Sequence, residues 1–458
     1  MINVEEAIST KLPSFKNKPK ALRSVTLFLL RKLIHESEIN TFLETNADAQ
    51  GFEFIDRVLN YFNFSYTMSN TARMNIPSSG RVVIVANHPL GALDGLAILK
   101  AVGEVRRDVK IVANDLLMGF DPLKPLLLPV DNMGGSTRRR DISRIVDALQ
   151  NEEAVIVFPA GEVSRARFNG IRDGKWNSGF QLFARKANAP ILPVFIGGKN
   201  SSLFYGSSYI NKGLATLLLA REMFNKRDVS ILMKVGEPIA FSQLDGMPLP
   251  AHEKSRLLRK HLYKIAKGKK PIFRTEKTIA HPQDRQILKQ ELKASELLGE
   301  TSDGKKIYLF DYQADSAVLN EIGRLREIAF RCVGEGTGKK KDIDRYDTDY
   351  RHLILWDDDE LEIAGAYRLA EAFKLREQGV ELYSETLFKY NEQMDTYFEH
   401  GIELGRSFVQ PKYWGRRSLD YLWYGIGAYL RKNPNVRYLF GPVSLSNTYP
   451  KAAKDMLV

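Results

Sequence analysis

The 458-residue chain carries a formal net charge of +12, is 44% hydrophobic and contains one cysteine, Cys332. That length holds about two or three domains with cores of their own, and a single cysteine excludes an internal disulfide and fits a reducing compartment. No run of about 18 apolar residues occurs, which argues against a spanning helix. Met1 to Lys11 is polar and lacks the pattern of a secretory leader. The expected location is therefore the cytoplasm, peripheral on the inner membrane surface. A positive surplus selects anionic partners; with no nucleic-acid-binding motif in the chain, nucleic acid is set aside.

Residues 1–75 read as helices. Lys18-Pro19-Lys20-Ala21-Leu22-Arg23 leads into Val25, Leu27, Phe28, Leu29, Leu30, Leu33 and Ile34, with Arg31, Lys32 and His35 close by. Such a basic amphipathic segment is either a helix packed on a core with a solvated charged face or a membrane-surface anchor. From Arg81 strand and helix patterns alternate. Strands are predicted at 82–86, 109–113, 154–158, 191–196 and 229–235, and helices at 94–102, 139–150 and 177–187, which implies an α/β domain with a largely parallel core sheet.

The most informative stretch is Val82-Val83-Ile84-Val85-Ala86-Asn87-His88-Pro89-Leu90-Gly91-Ala92-Leu93-Asp94-Gly95. An apolar strand is broken by Pro89 and Gly91, and Asp94 stands where a helix begins. One His and one Asp thus sit at the mouth of a strand-loop-helix turn, where open α/β sheets place their chemistry. A carboxylate on one ring nitrogen leaves the other free as a base, able to take the proton of a hydroxyl that attacks an acyl carbonyl.

Further on, Asp131-Asn132-Met133-Gly134-Gly135-Ser136-Thr137-Arg138-Arg139-Arg140 combines backbone freedom, a helix cap and three arginines. It reads as a seat for a phosphate or carboxylate headgroup or for the phosphopantetheine of a donor, or as a solvated helix start. Val155-Ile156-Val157-Phe158-Pro159-Ala160-Gly161-Glu162-Val163-Ser164-Arg165 is a strand ending in a Pro-Gly turn, and Ala189-Pro190-Ile191-Leu192-Pro193-Val194 is a proline-bearing strand. Residues 266–284 form a basic linker. Beyond it, a helix at 314–331 precedes Gly334-Glu335-Gly336-Thr337-Gly338-Lys339-Lys340-Lys341. This run lacks phosphate-loop spacing and reads as a mobile loop on the substrate side. Then come Asp344-Arg345-Tyr346-Asp347, strands at 352–356, 363–369 and 402–409, Tyr413-Trp414-Gly415-Arg416-Arg417 and a helix at 418–431. A Gly-Arg turn at a helix N-terminus is suited to a pantetheine phosphate. The seven histidines are scattered with no pair at ligand spacing, so no metal is expected.

Asn87, His88 and Asp94 resemble the first motif of PlsC-like glycerolipid acyltransferases, with five intervening residues, Pro89 to Leu93, where that family has four. The Asn-His-Pro-x-Gly-x-x-Asp-Gly form resembles the hemolysin-related, amino-lipid branch. Residues 131–140 hold the place of the second motif without its aromatic and aspartate. Phe158 to Ser164 resembles the third, with Ala160 in place of its glutamate and Glu162 after the glycine. Residues 189–194 resemble the fourth. The likeness covers about 75–265. It implies His88 as general base and Asp94 as its orienter. Arg138, Arg139, Glu162, Ser164 and Arg165 would face the acceptor headgroup, and Gly161 and Pro193 the acyl donor.

In the second half, Ala364-Gly365-Ala366-Tyr367-Arg368-Leu369, Glu403-Leu404-Gly405-Arg406-Ser407 and Leu422-Trp423-Tyr424-Gly425-Ile426 resemble hemolysin-type ornithine N-acyltransferases of the GNAT fold. This implies Glu403 polarising an amine, Arg406 holding a carboxylate, and Gly415, Arg416 and Arg417 receiving the acyl donor.

The expected architecture is α/β throughout. It comprises a helical segment (1–75), a PlsC-like O-acyltransferase domain (76–265), the linker (266–284) and a GNAT-like N-acyltransferase domain (285–458) that the resemblance would continue with further strands. The whole resembles bifunctional ornithine-lipid synthases. Acyl-acyl carrier protein, or acyl-CoA, would be the donor, with no permanently bound cofactor. Acyl carrier protein, an anionic membrane and an amino acid or lyso-lipid acceptor would be the partners. Two other expectations stand beside it: a lysophospholipid (1-acylglycerol-3-phosphate) acyltransferase with an inert second domain, and a non-catalytic lipid-binding protein of the membrane surface.

Overall fold

The computed structural model describes residues 4–5, 19–114, 120–130, 139–167, 170–210, 212–444, 450, 452 and 455–456. It divides into two units, Met1–Thr278 and Ile279–Val458. In the first, helices α1 (Lys20–Leu33) and α2 (Gly51–Tyr61) precede strand β1 (Ser65–Thr67) and then β2 (Val82–Ala86), α3 (Ala92–Gly103), β3 (Val109–Asn114), β4 (Leu127–Val130), α4 (Arg139–Gln150) and β5 (Ala154–Val157). The hairpin β6 (Arg165–Arg167) and β7 (Gly170–Arg172), α5 (Gly179–Ala187), β8 (Ile191–Ile196), β9 (Ser230–Val235) and α6 (Ala251–Ala266) follow.

The seven-stranded sheet runs β1-β9-β8-β2-β5-β3-β4. All neighbours are parallel except β8 and β9. β2 is central and every one of its residues is buried, which is why it reads as an unbroken apolar run. Its alternate side chains feed two cores. Val82, Ile84 and Ala86 pack with Phe54 and Ile55 of α2 and Ile98 and Leu99 of α3. Val83 and Val85 pack with Phe180 and Phe183 of α5 and Leu258 and Leu262 of α6. The largely parallel sheet is as predicted. The predicted helical stretch 1–75 also yields β1, which pairs with β9 only in three dimensions. The helix predicted from Asp94 begins at Ala92, because Gly91 (φ 99°) makes the turn and Asp94 folds back to cap it. The predicted strand 154–158 stops at Val157.

The basic stretch after α6 is held on the first unit. The ring of His261 in α6 accepts from the N–H groups of Ile272 (3.0 Å) and Phe273 (3.2 Å), and Phe273 is buried. Thr278 donates to the carbonyl of Asn75 at 2.9 Å.

The second unit contains α7 (Arg285–Lys293), β10 (Glu296–Glu300), β11 (Lys306–Phe310), α8 (Ala317–Cys332), β12 (Arg351–Asp357), β13 (Glu362–Glu371), β14 (Gly401–Val409), α9 (Ser418–Lys432) and β15 (Tyr438–Phe440). Its six strands run in sequence order. They are antiparallel save for the last pair, β14 and β15. α7 and α8 cover one face and α9 the other. The 334–341 loop, expected to be mobile, is fastened to α8. The carboxylate of Glu327 accepts from Thr337 N (3.0 Å), Thr337 Oγ1 (2.6 Å) and Gly338 N (2.9 Å), and Arg331 donates to the Lys339 carbonyl at 2.7 Å. Its glycines and lysines thus serve to wrap a buried acid.

Candidate active site

Parallel strands β2, β5 and β8 end at one edge of the sheet, and the residues that follow β2 and β5 meet there. Asn87 is buried beyond β2 and makes a reciprocal pair with Ile196 of β8. Its amide donates to the Ile196 carbonyl and its oxygen accepts from the Ile196 N–H, each at 2.8 Å. The side chain thereby does what one more strand residue would do, and the loop leaves the sheet at a fixed angle.

His88 is next. Its Nδ1 lies 3.1 Å from Oδ2 of Asp94, whose side chain is fully buried, while the His88 side chain keeps 19% of its exposure. The pair has ion-pair distance without the alignment of a hydrogen bond, and Asp94 Oδ1 has no partner among the described residues. Asp94 Oδ2 also accepts from the N–H groups of Leu90 (2.7 Å) and Gly91 (3.2 Å), the orphan donors at the start of α3. The left-handed bend at Gly91 absorbs the fifth residue between His and Asp, a change that would swing a helical side chain by about 100°. Phe158, just past β5, stacks on the imidazole at 4.1 Å and 24°. With Nδ1 turned to the carboxylate, Nε2 is the atom available for proton transfer.

The backbone of His88 is gripped on both sides. Its N–H donates to Asp173 Oδ1 at 3.2 Å, and its carbonyl accepts from the Ser164 N–H at 2.7 Å. Ser164 is buried and donates its hydroxyl to the same Asp173 oxygen at 2.5 Å. Burial pushes the Asp173 carboxyl above the usual range, against the pull of the Ser164 and Trp176 hydrogen bonds.

Gly161 (φ 64°) forms the turn after β5. Beyond it, Arg165 stands 3.5 Å from the Glu162 carboxylate and buries Nε and Nη1 with no hydrogen-bond partner among the described residues. Those donors and the Glu162 carboxylate flank Ser164, whose N–H binds the His88 carbonyl. Pro193 is elsewhere: it is buried inside the sheet opposite Val85, its ring against Gly236. Arg139 is exposed at the first residue of α4, and Arg138 lies outside the described residues.

In the second unit Glu403 and Arg406 belong to a buried charge cluster. Glu403 on β14 is 1% exposed. Its carboxylate accepts from the Tyr350 hydroxyl and, at 2.8 Å, from the Ser384 N–H. Both oxygens are engaged internally. Arg406 lies 3.2 Å from Asp344 and 3.5 Å from Asp342, over the Tyr383 ring. Arg368, 1% exposed, binds Asp344 at 2.6 Å and Asp347 at 3.2 Å and sits over Tyr346, Tyr350 and Tyr383. Arg326 pairs with Asp347 at 2.7 Å and reaches His352 Nδ1 at 3.3 Å. Burial would raise the Asp347 carboxyl, but Arg326 and Arg368 hold it down to about 2. Burial, aided by Arg326, lowers His352 to about 3, so its ring is neutral at pH 7. Gly415 (φ 72°), Arg416 and Arg417 are exposed at the start of α9, away from this cluster in sequence and burial.

Asp173, Arg326, Arg368, Tyr350 and His352 were not singled out as site residues in the sequence. Asp344-x-x-Asp347 carried a signal, since two aspartates at that spacing form a cap that also presents carboxylates inward.

A family model described as Acyltransferase matches residues 7–269, and one described as Acetyltransferase (GNAT) domain matches 325–424. The chain belongs to the acyltransferase family, with an acyltransferase domain followed by a GNAT domain, and is an acyltransferase of lipid biosynthesis. The lyso-glycine lipid O-acyltransferase of Bacteroides thetaiotaomicron is 33% identical over 260 residues, 55% of this chain and 93% of that protein. The glycine N(alpha)-acyltransferase of Phocaeicola vulgatus is 38% identical over 195 residues, 39% of this chain and 60% of that protein. The L-ornithine N(alpha)-acyltransferase of Brucella abortus is 28% identical over 173 residues, 31% of this chain and 61% of that protein.

Proposed function

We propose that the chain carries out both acylations of an amino lipid, with glycine as the headgroup, and that His88 and Asp94 perform the second. The carrying observation is the contact of His88 Nδ1 with buried Asp94 at 3.1 Å, at the edge where parallel strands end. The acceptor is an N-(3-hydroxyacyl)glycine. His88 Nε2 takes the proton of the 3-hydroxyl as its oxygen attacks the thioester carbonyl of acyl-acyl carrier protein or acyl-CoA. The tetrahedral intermediate collapses, the carbon–sulfur bond breaks, and the imidazolium returns the proton to the departing thiolate. General-base help of this kind contributes about 10²–10⁴-fold, positioning and charge stabilisation the rest. Glu162 and Arg165 frame the headgroup end. Asp94 holds the ring and stabilises its charged form.

The second unit forms the amide first. Glycine and L-ornithine N-acyltransferases resemble it, and the 38% identity to the former favours glycine. The donor's pantetheine phosphate lies at Gly415-Arg416-Arg417, on the N–H groups that open α9. Glu403, with both oxygens bound internally, acts by holding Tyr350 and the 384 turn, and the arginines of the cluster receive the amino-acid carboxylate. The enzyme works peripherally on the inner membrane, anchored through α1.

The test is lipid mass spectrometry of cells making the parent, His88→Ala and Arg368→Ala forms. The parent yields diacylated glycine lipid. His88→Ala accumulates the mono-acylated form, and Arg368→Ala loses both. Unchanged diacyl lipid in His88→Ala would sink the catalytic assignment. A change confined to phospholipid acyl chains would mean a lysophospholipid acyltransferase instead.

A further inference from the structure

The carboxylate of Asp173 is buried and takes three donors: Ser164 Oγ at 2.5 Å, the His88 N–H at 3.2 Å and Trp176 Nε1 at 2.7 Å. No lysine or arginine side chain forms an ion pair with it among the described residues. Its own backbone is fixed from α6. The Asp173 N–H donates to the Tyr263 hydroxyl at 2.9 Å, and its carbonyl accepts from Arg259 at 3.2 Å. Leaving a carboxylate buried without a cation costs several kcal/mol, and an asparagine could satisfy most of these donors without charge. A purely structural bracket has no use for that charge.

The geometry points to Asp173 as a second positioning residue for O-acyl transfer, which clamps the His88 peptide and sets a carboxylate beside the residue whose imidazole becomes cationic in the transition state. Asp94 acts on the ring from the helix side, and Asp173 acts through the backbone and through space from the α6 side. Ser164, implied by the sequence motif to face the headgroup, belongs to this bracket: its hydroxyl goes to Asp173 and its N–H to the His88 carbonyl. The inference rests on His88 being the base.

The experiment uses the purified full chain with N-(3-hydroxypalmitoyl)glycine as acceptor and palmitoyl-acyl carrier protein as donor. Asp173→Asn is expected to lower kcat about 10- to 100-fold, with both KM values within about twofold and the melting midpoint nearly unchanged. In a His88→Ala background the same substitution changes the residual rate by less than about twofold, because the two act as one unit. Ser164→Ala and Trp176→Phe each remove one donor and lower kcat about three- to tenfold at constant KM. These two decide the matter if Asp173→Asn does not fold. A parental kcat in Asp173→Asn overturns the inference. So does a further loss in the His88→Ala background, or a fall in kcat that KM and the melting midpoint share. Full activity in His88→Ala overturns the underlying reading whatever Asp173→Asn does.

Discussion

Asp94 does two things with one oxygen: it faces His88 and it caps α3 by accepting from Leu90 and Gly91. The two functions separate by substitution. Asp94→Asn keeps an acceptor for the cap and loses the charge, so kcat for O-acyl transfer falls at least about tenfold while stability drops little. Asp94→Ala also strands two buried N–H groups and costs about 2 kcal/mol more. Calorimetry beside steady-state kinetics tells the two apart, and equal melting curves for the variants would refute the dual role. His352 in the second unit gives a prediction of a different kind. Its folded pKa, about 3, lies below its unfolded value near 6.5. Between those values the unfolded chain binds the extra proton, so stability is fully present above about pH 6.5 and is lost as pH falls toward 3. His261 of α6, lowered by burial to about 4, acts in the same direction. Denaturant melts of the parent and His352→Gln from pH 7 to 4 should show a shallower acid loss in the variant.

At the scale of an element, α1 stands out because it is amphipathic in the wrong sense for a buried helix. Leu27 is buried against Val4, yet Leu22, Val25, Phe28 and Leu29 remain 51–66% exposed along one side. Lys20, Arg23, Arg31 and Lys32 flank them. Burying a phenylalanine and a leucine in acyl chains is worth about 2 kcal/mol each, and each basic residue near an anionic surface about 1 kcal/mol more. Phe28→Ser with Leu29→Ser should therefore reduce co-sedimentation with phosphatidylglycerol vesicles by at least about tenfold. The melting midpoint should hold, since both side chains are exposed. Binding that survives the double substitution would place the anchor elsewhere. Among the described residues no helix is long and apolar enough to cross a membrane.

For the whole molecule, the proposed intermediate is an amphiphile with one acyl chain, which partitions into membrane and diffuses there. Its transfer needs no covalent hand-over between the two units. Co-expression of His88→Ala with Arg368→Ala should then restore diacylated glycine lipid to near the parental level. Failure to complement, with both proteins present, would require that the intermediate pass within one chain. The net charge of +12 suits every proposed partner: acidic carrier protein, anionic lipid and a carboxylate headgroup.

The loop that carries His88 and Asp94 was legible in the sequence. Strand, turn and helix between Val82 and Gly103 are local, and His88 and Asp94 lie close enough along the chain for loop geometry alone to bring them together. The alternation of apolar runs likewise determined an α/β unit with a largely parallel sheet. What surrounds His88 follows only from packing. Asp173 reaches His88 across 85 residues and Tyr263 reaches Asp173 across 90, and neither pattern nor spacing encodes such a meeting. Packing likewise encloses Glu403 between Tyr350 and Ser384 and buries Pro193 inside the sheet. The physical reason is common to all of these. Backbone propensity and periodicity act over one or two turns, whereas burial, which sets the partners and charge state of an acid, is known only once distant elements have packed.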